Sequence, residues 1–181
     1  DQGAIKPSDH GSIPFPADTI HPLLTLQNLT WLILDLHRVV DVDNMLLKTM
    51  ATSWPQIRVL DLARCWNRPE PIRLTLEGLI PLAEHCKKLT MCSLLVDART
   101  VPINYFKNPA GRYPSRLQSF GCGGSPIAES YRVAAFLSGV FPELQGIACA
   151  DADADNLDRW MAVNNSIRAF HEVRNQERLS G

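Results

Sequence analysis

The chain has 181 residues, enough for one domain with a sizeable core, and its 45% hydrophobic and 20% charged residues exclude a disordered chain. The formal net charge of −1 leaves no basic surplus for nucleic acid or an anionic membrane, and no apolar run reaches the roughly 18 residues of a membrane span. Five cysteines without a CxxC spacing favour a reduced intracellular protein, cytoplasmic or nuclear. We therefore expect neither nucleic acid nor a membrane as a partner.

The N-terminal residues 1–22 are polar and contain four prolines. We expect this segment to be a linker or a degenerate first coil of the structure that follows. Because the sequence begins with Asp and not with Met, we also expect it to be part of a longer product.

An apolar pattern of six residues then recurs five times. It is L-x-x-L-x-L, with another apolar residue or Cys allowed at the marked places, and the steps from copy to copy are 28, 32, 28 and 27 residues. Segments between the copies carry apolar residues at helical spacing and end in short corners such as WPQ, CKK and FPE. Asp43 and Thr75 are the predicted N-caps of the first two helices. The five copies are LTWLIL (29–34), IRVLDL (57–62), LTMCSL (89–94), LQSFGC (117–122) and LQGIAC (144–149).

A strand followed by a helix about every 28 residues predicts an α/β leucine-rich-repeat solenoid over residues 23–154. In such a ribonuclease-inhibitor-like horseshoe arc, parallel strands line the concave face and helices cover the convex face, because one coil cannot bury its own apolar edge. The alternative is a compact α/β domain with crossover helices. The repeat predicts one inward column made of Leu32, Leu60, Cys92, Phe120 and Ile147.

The unmarked positions of the copies point to the concave face, and the loop after the second copy adds an aromatic residue and two arginines. An alternative for Trp31 and Ile33 of the first copy is that the N-terminal segment covers them and caps the end of the solenoid. The long loop 97–116 replaces one helix, and its aromatic residues Tyr105, Phe106 and Tyr113 either bind a partner or fill the gap. The residues predicted to bind a target protein are Trp31, Ile33, Asp35, Val59, Asp61, Met91, Arg64, Trp66 and Arg68.

The cysteines are expected to be core residues, with Cys92, Cys122 and Cys149 at marked inward positions. The alternative is a cysteine-dependent hydrolase that uses Cys122, which lies among glycines in GCGGS, but no histidine is tied to it by a motif. The DADAD stretch at residues 151–155 lacks the Gly and Glu that a calcium loop needs at its sixth and twelfth positions. We therefore predict no catalytic residue, no metal and no cofactor.

Residues 155–181 are predicted to form a C-terminal capping helix and tail, with Asp155 as the N-cap. Apolar residues recur along the helix mostly at three- and four-residue steps, so one face can cover the last coil. We expect Trp160 and Phe170 to be buried there, against the layer that contains Phe141 and Ile147.

At LDLARC and LTLEGLIPLAEHCKKLTMCSL the chain resembles the cysteine-containing leucine-rich repeats of F-box proteins. DNMLLKTMATSWPQIRVLDL and SPIAESYRVAAFLSGVFPEL are similar to the repeat region of fungal, mushroom-type F-box proteins. The resemblance runs from about Leu23 to Arg174, nearly the whole chain.

The resemblance implies the substrate receptor of an SCF ubiquitin ligase, in which the repeats hold a target protein and an F-box docks the adaptor subunit. No F-box helix pattern precedes Leu23, so we expect this chain alone not to bind the adaptor. The alternative is a leucine-rich-repeat scaffold or inhibitor unrelated to ubiquitination.

Overall fold

The computed structural model describes residues 19–35, 40–64, 71–102, 113–149 and 154–180, and it gives only the backbone of Asp35 and Arg64. Within these ranges the chain is an α/β structure built on one parallel sheet. The predicted site residues Trp66 and Arg68 lie outside the described residues, as do Cys65 and the aspartates at 151 and 153.

Five strands form the sheet, and they follow one another in chain order. Each strand pairs in parallel with the next strand of the sequence, as the five copies of the apolar pattern predict. The strands are β1 (Trp31–Asp35), β2 (Val59–Arg64), β3 (Met91–Ser93), β4 (Ser119–Gly121) and β5 (Gly146–Ala148).

The predicted inward column is confirmed by the register of the strands. The middle apolar residues of the five copies pair in succession across the whole sheet, and none of them is more than 9% exposed. The column is Leu32, Leu60, Cys92, Phe120 and Ile147.

Helices supply the other half of the core. They are α1 (Asn44–Ser53), α2 (Ile80–His85), which continues a 3-10 turn at Leu76–Leu79, α3 (Ser130–Val140) and α4 (Ala154–Ser180). Buried residues of these helices, among them Leu47, Ala83 and Phe136, belong to the same apolar cluster as the strand column. Between β3 and β4 the described residues form no helix, and Tyr113 from that connection is buried, whereas Tyr105 and Phe106 lie outside the described residues.

Of the three predicted helix caps, one is confirmed, one is confirmed in position only, and one is wrong. Asp43 accepts a hydrogen bond of 2.8 Å from the N–H of Leu46 and caps α1. Thr75 stands at the N-cap position of the 3-10 turn that leads into α2, but its hydroxyl makes no capping bond and contacts the side chain of Asn44 instead. Asp155 does not precede α4 but lies in its first turn. Its negative charge still complements the helix dipole there.

The corners that lead into β2, β3 and β5 are the same turn made from different residues. In each, the N–H of the first marked residue of the copy donates to the carbonyl three residues earlier, at 3.0–3.1 Å. The segment before β1 repeats this turn, with the N–H of Leu29 bonded to the carbonyl of Leu26 at 2.9 Å. Residues 26–29 therefore carry the corner of the later units, a likeness that the apolar pattern alone did not show.

Helix α4 packs against α3 and β5 at the C-terminal side of the sheet. Trp160 is fully buried and donates from Nε1 to the carbonyl of Ser125 at 2.8 Å, which confirms the prediction that it is buried. Phe170 is 39% exposed, so the prediction that it is buried is wrong. Among the described residues, no helix combines the length and apolar character needed to cross a membrane.

Candidate binding surface

The face of the sheet opposite the inward column is the candidate site, and we call it the open face. At its N-terminal end β1 places Trp31 and Ile33 on this face, where they are 61% and 40% exposed. A tryptophan exposed to this extent is uncommon in a folded domain unless it contacts a partner. The open face thus begins with a bulky apolar pair that no described residue covers fully.

The residues paired with Trp31 and Ile33 are less accessible than the sequence predicted. Val59 lies beside Trp31 and is 4% exposed, and Asp61 lies beside Ile33 and is 5% exposed. Both belong to β2, so side chains on the two neighbouring strands shield them. Val59 and Asp61, two of the residues predicted to bind a target protein, therefore offer little accessible surface on the open face.

The buried carboxylate of Asp61 has a structural role. Its Oδ1 accepts a hydrogen bond of 3.3 Å from the N–H of Ala63, within the same strand. A buried carboxylate is costly unless it is paired, and this bond compensates part of that cost. Asp61 is thus better explained as a feature of β2 than as a contact residue.

The other predicted site residues divide between two groups. Met91 on β3 is half-buried and lies next to Val59 of β2, which in turn lies next to Trp31. The backbones of Asp35 and Arg64 lie opposite each other at the ends of β1 and β2, after an irregularity in the register. The structure therefore brings together Trp31, Val59 and Met91 from three neighbouring strands.

A concavity of about 510 Å³ opens beside these three residues. We call its apolar lining residues Trp31, Val59 and Met91 the floor, and its basic lining residues Arg58, Lys88 and Arg116 the rim. No acidic side chain of the described residues lines it. The lining residues are Trp31, Arg58, Val59, Lys88, Thr90, Met91 and Arg116.

The rim cations come from three successive copies of the apolar pattern. Arg58 is the second residue of its copy, while Lys88 and Arg116 each stand immediately before the first marked residue of theirs. Parallel strands lie about 5 Å apart, so Lys88 and Arg116, at equivalent positions of successive copies, lie side by side, and Arg58 lies two residues farther along its own copy. The alternation of side chains inside each copy does not reveal these three residues, because they lie outside the alternating positions.

The three rim cations are not neutralised within the described part of the chain. Lys88 donates to Oε1 of Gln56 at 2.5 Å, which orients its ammonium group without changing its charge. Ion pairs elsewhere join other residues, such as Arg73 with Asp41 and Arg178 with Glu143, and none of them includes Arg58, Lys88 or Arg116. The rim therefore presents positive charge to solvent.

The burial of Cys122 argues against the alternative of a cysteine-dependent hydrolase. Cys122 is fully buried, and burial raises the pKa of its thiol, whereas a nucleophile needs a lowered one. Burial likewise raises the pKa of Cys86, to about 12, and that of Cys92. Cys149 is the exception: it is only half-buried, and its pKa is lowered because Cys122 lies 2.7 Å away, sulfur to sulfur, and stabilises its thiolate.

No group of three or more histidine, cysteine, aspartate or glutamate side chains is placed to hold a metal ion in the described ranges. No protein-family model matches the chain. No curated protein matches it either.

Proposed function

We propose that the chain is a protein-binding leucine-rich-repeat module, the substrate-recognition part of an F-box protein in an SCF ubiquitin ligase. The solenoid is supported by the repetition of one turn before four strands and by the unbroken inward column from Leu32 to Ile147. Five short parallel strands paired in chain order are what stacked coils produce.

The backbone bonds between the units support the same proposal. The carbonyl of Thr30 accepts from the N–H of Arg58, that of Arg58 from Thr90, and that of Thr90 from Gln118. These are equivalent residues of successive copies, the second of each. Identical contacts at each step are expected when similar units stack by the same small displacement.

The observation that carries binding is the exposed Trp31, which lines a concavity of about 510 Å³. Tryptophan, methionine and arginine are enriched at protein interfaces and depleted from the remaining surface, and this concavity combines all three types. A target protein is accordingly placed on the open face, at its N-terminal end.

The ligase assignment rests on the resemblance of the cysteine-containing copies. In this proposal the adaptor is bound by an F-box outside the chain, and the repeats contribute only target recognition. A scaffold or inhibitor unrelated to ubiquitination would use the same open face. Co-purification of the adaptor with the full-length product distinguishes the two functions.

Affinity purification of the full-length product with mass spectrometry tests the proposal. The expected result is co-purification of an SCF adaptor, a cullin and a target protein, and Trp31→Ala should remove the target while leaving the adaptor. Tyr131→Ala is the matched control, because Tyr131 is an aromatic residue 73% exposed on α3, outside the open face. A target retained by Trp31→Ala, or lost equally in both variants, contradicts binding at the open face. A target found without adaptor or cullin favours the scaffold.

A further inference from the structure

The chemistry of the concavity narrows the kind of protein segment that fits it. Its floor is formed by Trp31, Val59 and Met91, and its rim by Arg58, Lys88 and Arg116. An apolar floor accepts a hydrophobic side chain, and a positive rim accepts negative charge on either side of it. The two properties occur together in one site of about 510 Å³.

The charge of the rim contrasts with that of the chain. The whole chain has a formal net charge of −1, so three cations without an acidic neighbour in the lining make a local excess. Repulsion among like charges is unfavourable unless a partner relieves it, and potentials at protein interfaces are commonly complementary. The occupant is therefore expected to be acidic.

The spacing of the rim favours an extended peptide. Arg58, Lys88 and Arg116 belong to successive units, so their backbones span about 10 Å across the strands, and Arg58 is displaced from the other two by two residues, about 7 Å, along the strand direction. In an extended segment, side chains on one face recur about every 7 Å, which allows residues two apart to reach different cations. Arginine can bind a carboxylate with two parallel hydrogen bonds.

We propose, on the basis of the protein-binding function above, that this concavity takes an acidic segment of the target protein. The segment carries one large apolar side chain, which packs on Trp31 and Met91. Glutamate or aspartate side chains on either side of it pair with Arg58, Lys88 and Arg116.

A nucleic acid fits the observations less well. Binding to a phosphate backbone depends on many cations along an extended path, whereas this rim has three around an apolar floor. The floor residues Val59 and Met91 favour an aliphatic or aromatic side chain over a ribose-phosphate chain.

A fluorescein-labelled peptide with one leucine between two pairs of glutamates is the probe, and fluorescence anisotropy gives its Kd. Binding is expected to weaken with added salt, and the same peptide with glutamine in place of glutamate should bind at least tenfold more weakly. Arg58→Glu and Arg116→Glu should each raise the Kd roughly tenfold. Arg168→Glu is the control with the same charge change on an exposed face of α4, and it should leave the Kd unchanged.

Several outcomes overturn the proposal. Absence of binding to the glutamate peptide, equal binding of the glutamine peptide, or equal effects of Arg116→Glu and Arg168→Glu would each do so. Binding of a phosphoserine version alone assigns the rim to phosphate, and displacement by a single-stranded oligonucleotide assigns it to nucleic acid. Circular dichroism of each variant verifies that it is folded.

A second measurement separates this inference from the proposed function. If Trp31→Ala abolishes capture of the target but the two charge reversals do not, the open face binds protein and the acidic segment is wrong. If all three variants retain the target, binding at the open face is wrong as well.

Discussion

The side-chain Oδ1 of Asn164 in α4 accepts a hydrogen bond of 2.8 Å from the backbone N–H of Ile147 in β5. Strand β5 is the last strand of the sheet in the part of the chain that the structure describes, so no further described strand can accept a bond from this edge. The bond gives one backbone donor of the edge a partner and holds α4 across the end of the sheet. An unprotected edge would be free to pair with another chain.

Replacing Asn164 by Ala should lower the free energy of unfolding by about 1–3 kcal/mol, because the N–H of Ile147 loses its partner. The measurement is urea denaturation followed by circular dichroism. Asn165→Ala is the matched control, since Asn165 is the exposed neighbour in the same helix and gains the same helix propensity. Equal stability of the two variants would show that the bond does not contribute.

Trp160→Ala should be more damaging, with a loss of about 3–5 kcal/mol, because a fully buried indole and its bond to Ser125 are both removed. Phe170→Ala should cost far less, since Phe170 is 39% exposed. Thermal unfolding of both variants measures the difference. Deletion of residues 155–181 should cause aggregation, and a soluble deletion variant with an unchanged Tm would show that α4 is not a cap.

The difference between Trp160 and Phe170 shows what the apolar spacing could predict. Spacing identifies the face of α4 that turns to the sheet, and Trp160, Val163 and Ile167 on that face are buried. The spacing does not predict the residue at which α4 stops packing against the rest of the domain. Near the C-terminal end α4 makes polar contacts, such as the bond from Arg174 to Ser138, and Phe170 is 39% exposed.

The sheet was predictable to the level of register, but the site was predictable only in part. Side chains of each copy alternate between two faces, so the pattern itself assigns Leu60 to the core and Trp31 to the open face. Accessibility on the open face also depends on the size of the neighbours in adjacent strands, which hides Val59 between Trp31 and Met91. The rim cations lie outside the alternating positions, and only the assembled sheet shows that they converge.

Asn44 joins the first two helical segments, and its removal should be costly. Its Oδ1 accepts from the N–H of Thr75, and its Nδ2 donates to the hydroxyl of Thr75, each at 2.9 Å. Asn44→Ala should therefore lower the free energy of unfolding by about 1–3 kcal/mol. Asn44→Asp, which keeps an acceptor for the N–H of Thr75, should lose less in the same urea titration.

Gly78 provides an internal check on this prediction. A β-carbon at Gly78 would collide with Oδ1 of Asn44, so Gly78→Ala should displace that side chain. The costs of Gly78→Ala and Asn44→Ala should then be less than additive in the double variant, since both disrupt the same bonds. Strict additivity would show that Asn44 is not the residue that Gly78 accommodates.

Cys149 should be the first of the described cysteines to react with iodoacetamide in the native protein. It is half-buried and has a lowered pKa, whereas Cys86, Cys92 and Cys122 are fully buried. This revises the expectation that Cys149, like Cys92 and Cys122, is a core residue. The measurement is alkylation resolved by mass spectrometry across a pH series, in a Cys65→Ser background.

The pH dependence of this reaction tests the cause of the lowered pKa. The thiolate is the reactive form, so alkylation of Cys149 should persist at pH values below the ordinary range of a thiol. Cys122→Ala removes the neighbouring donor and should shift the rate profile of Cys149 to higher pH. Cys122→Ser keeps a donor and should shift it less. A profile that is the same in all three proteins would show that Cys122 does not stabilise the thiolate, and faster labelling of Cys122 than of Cys149 would contradict the burial that the fold assigns to it.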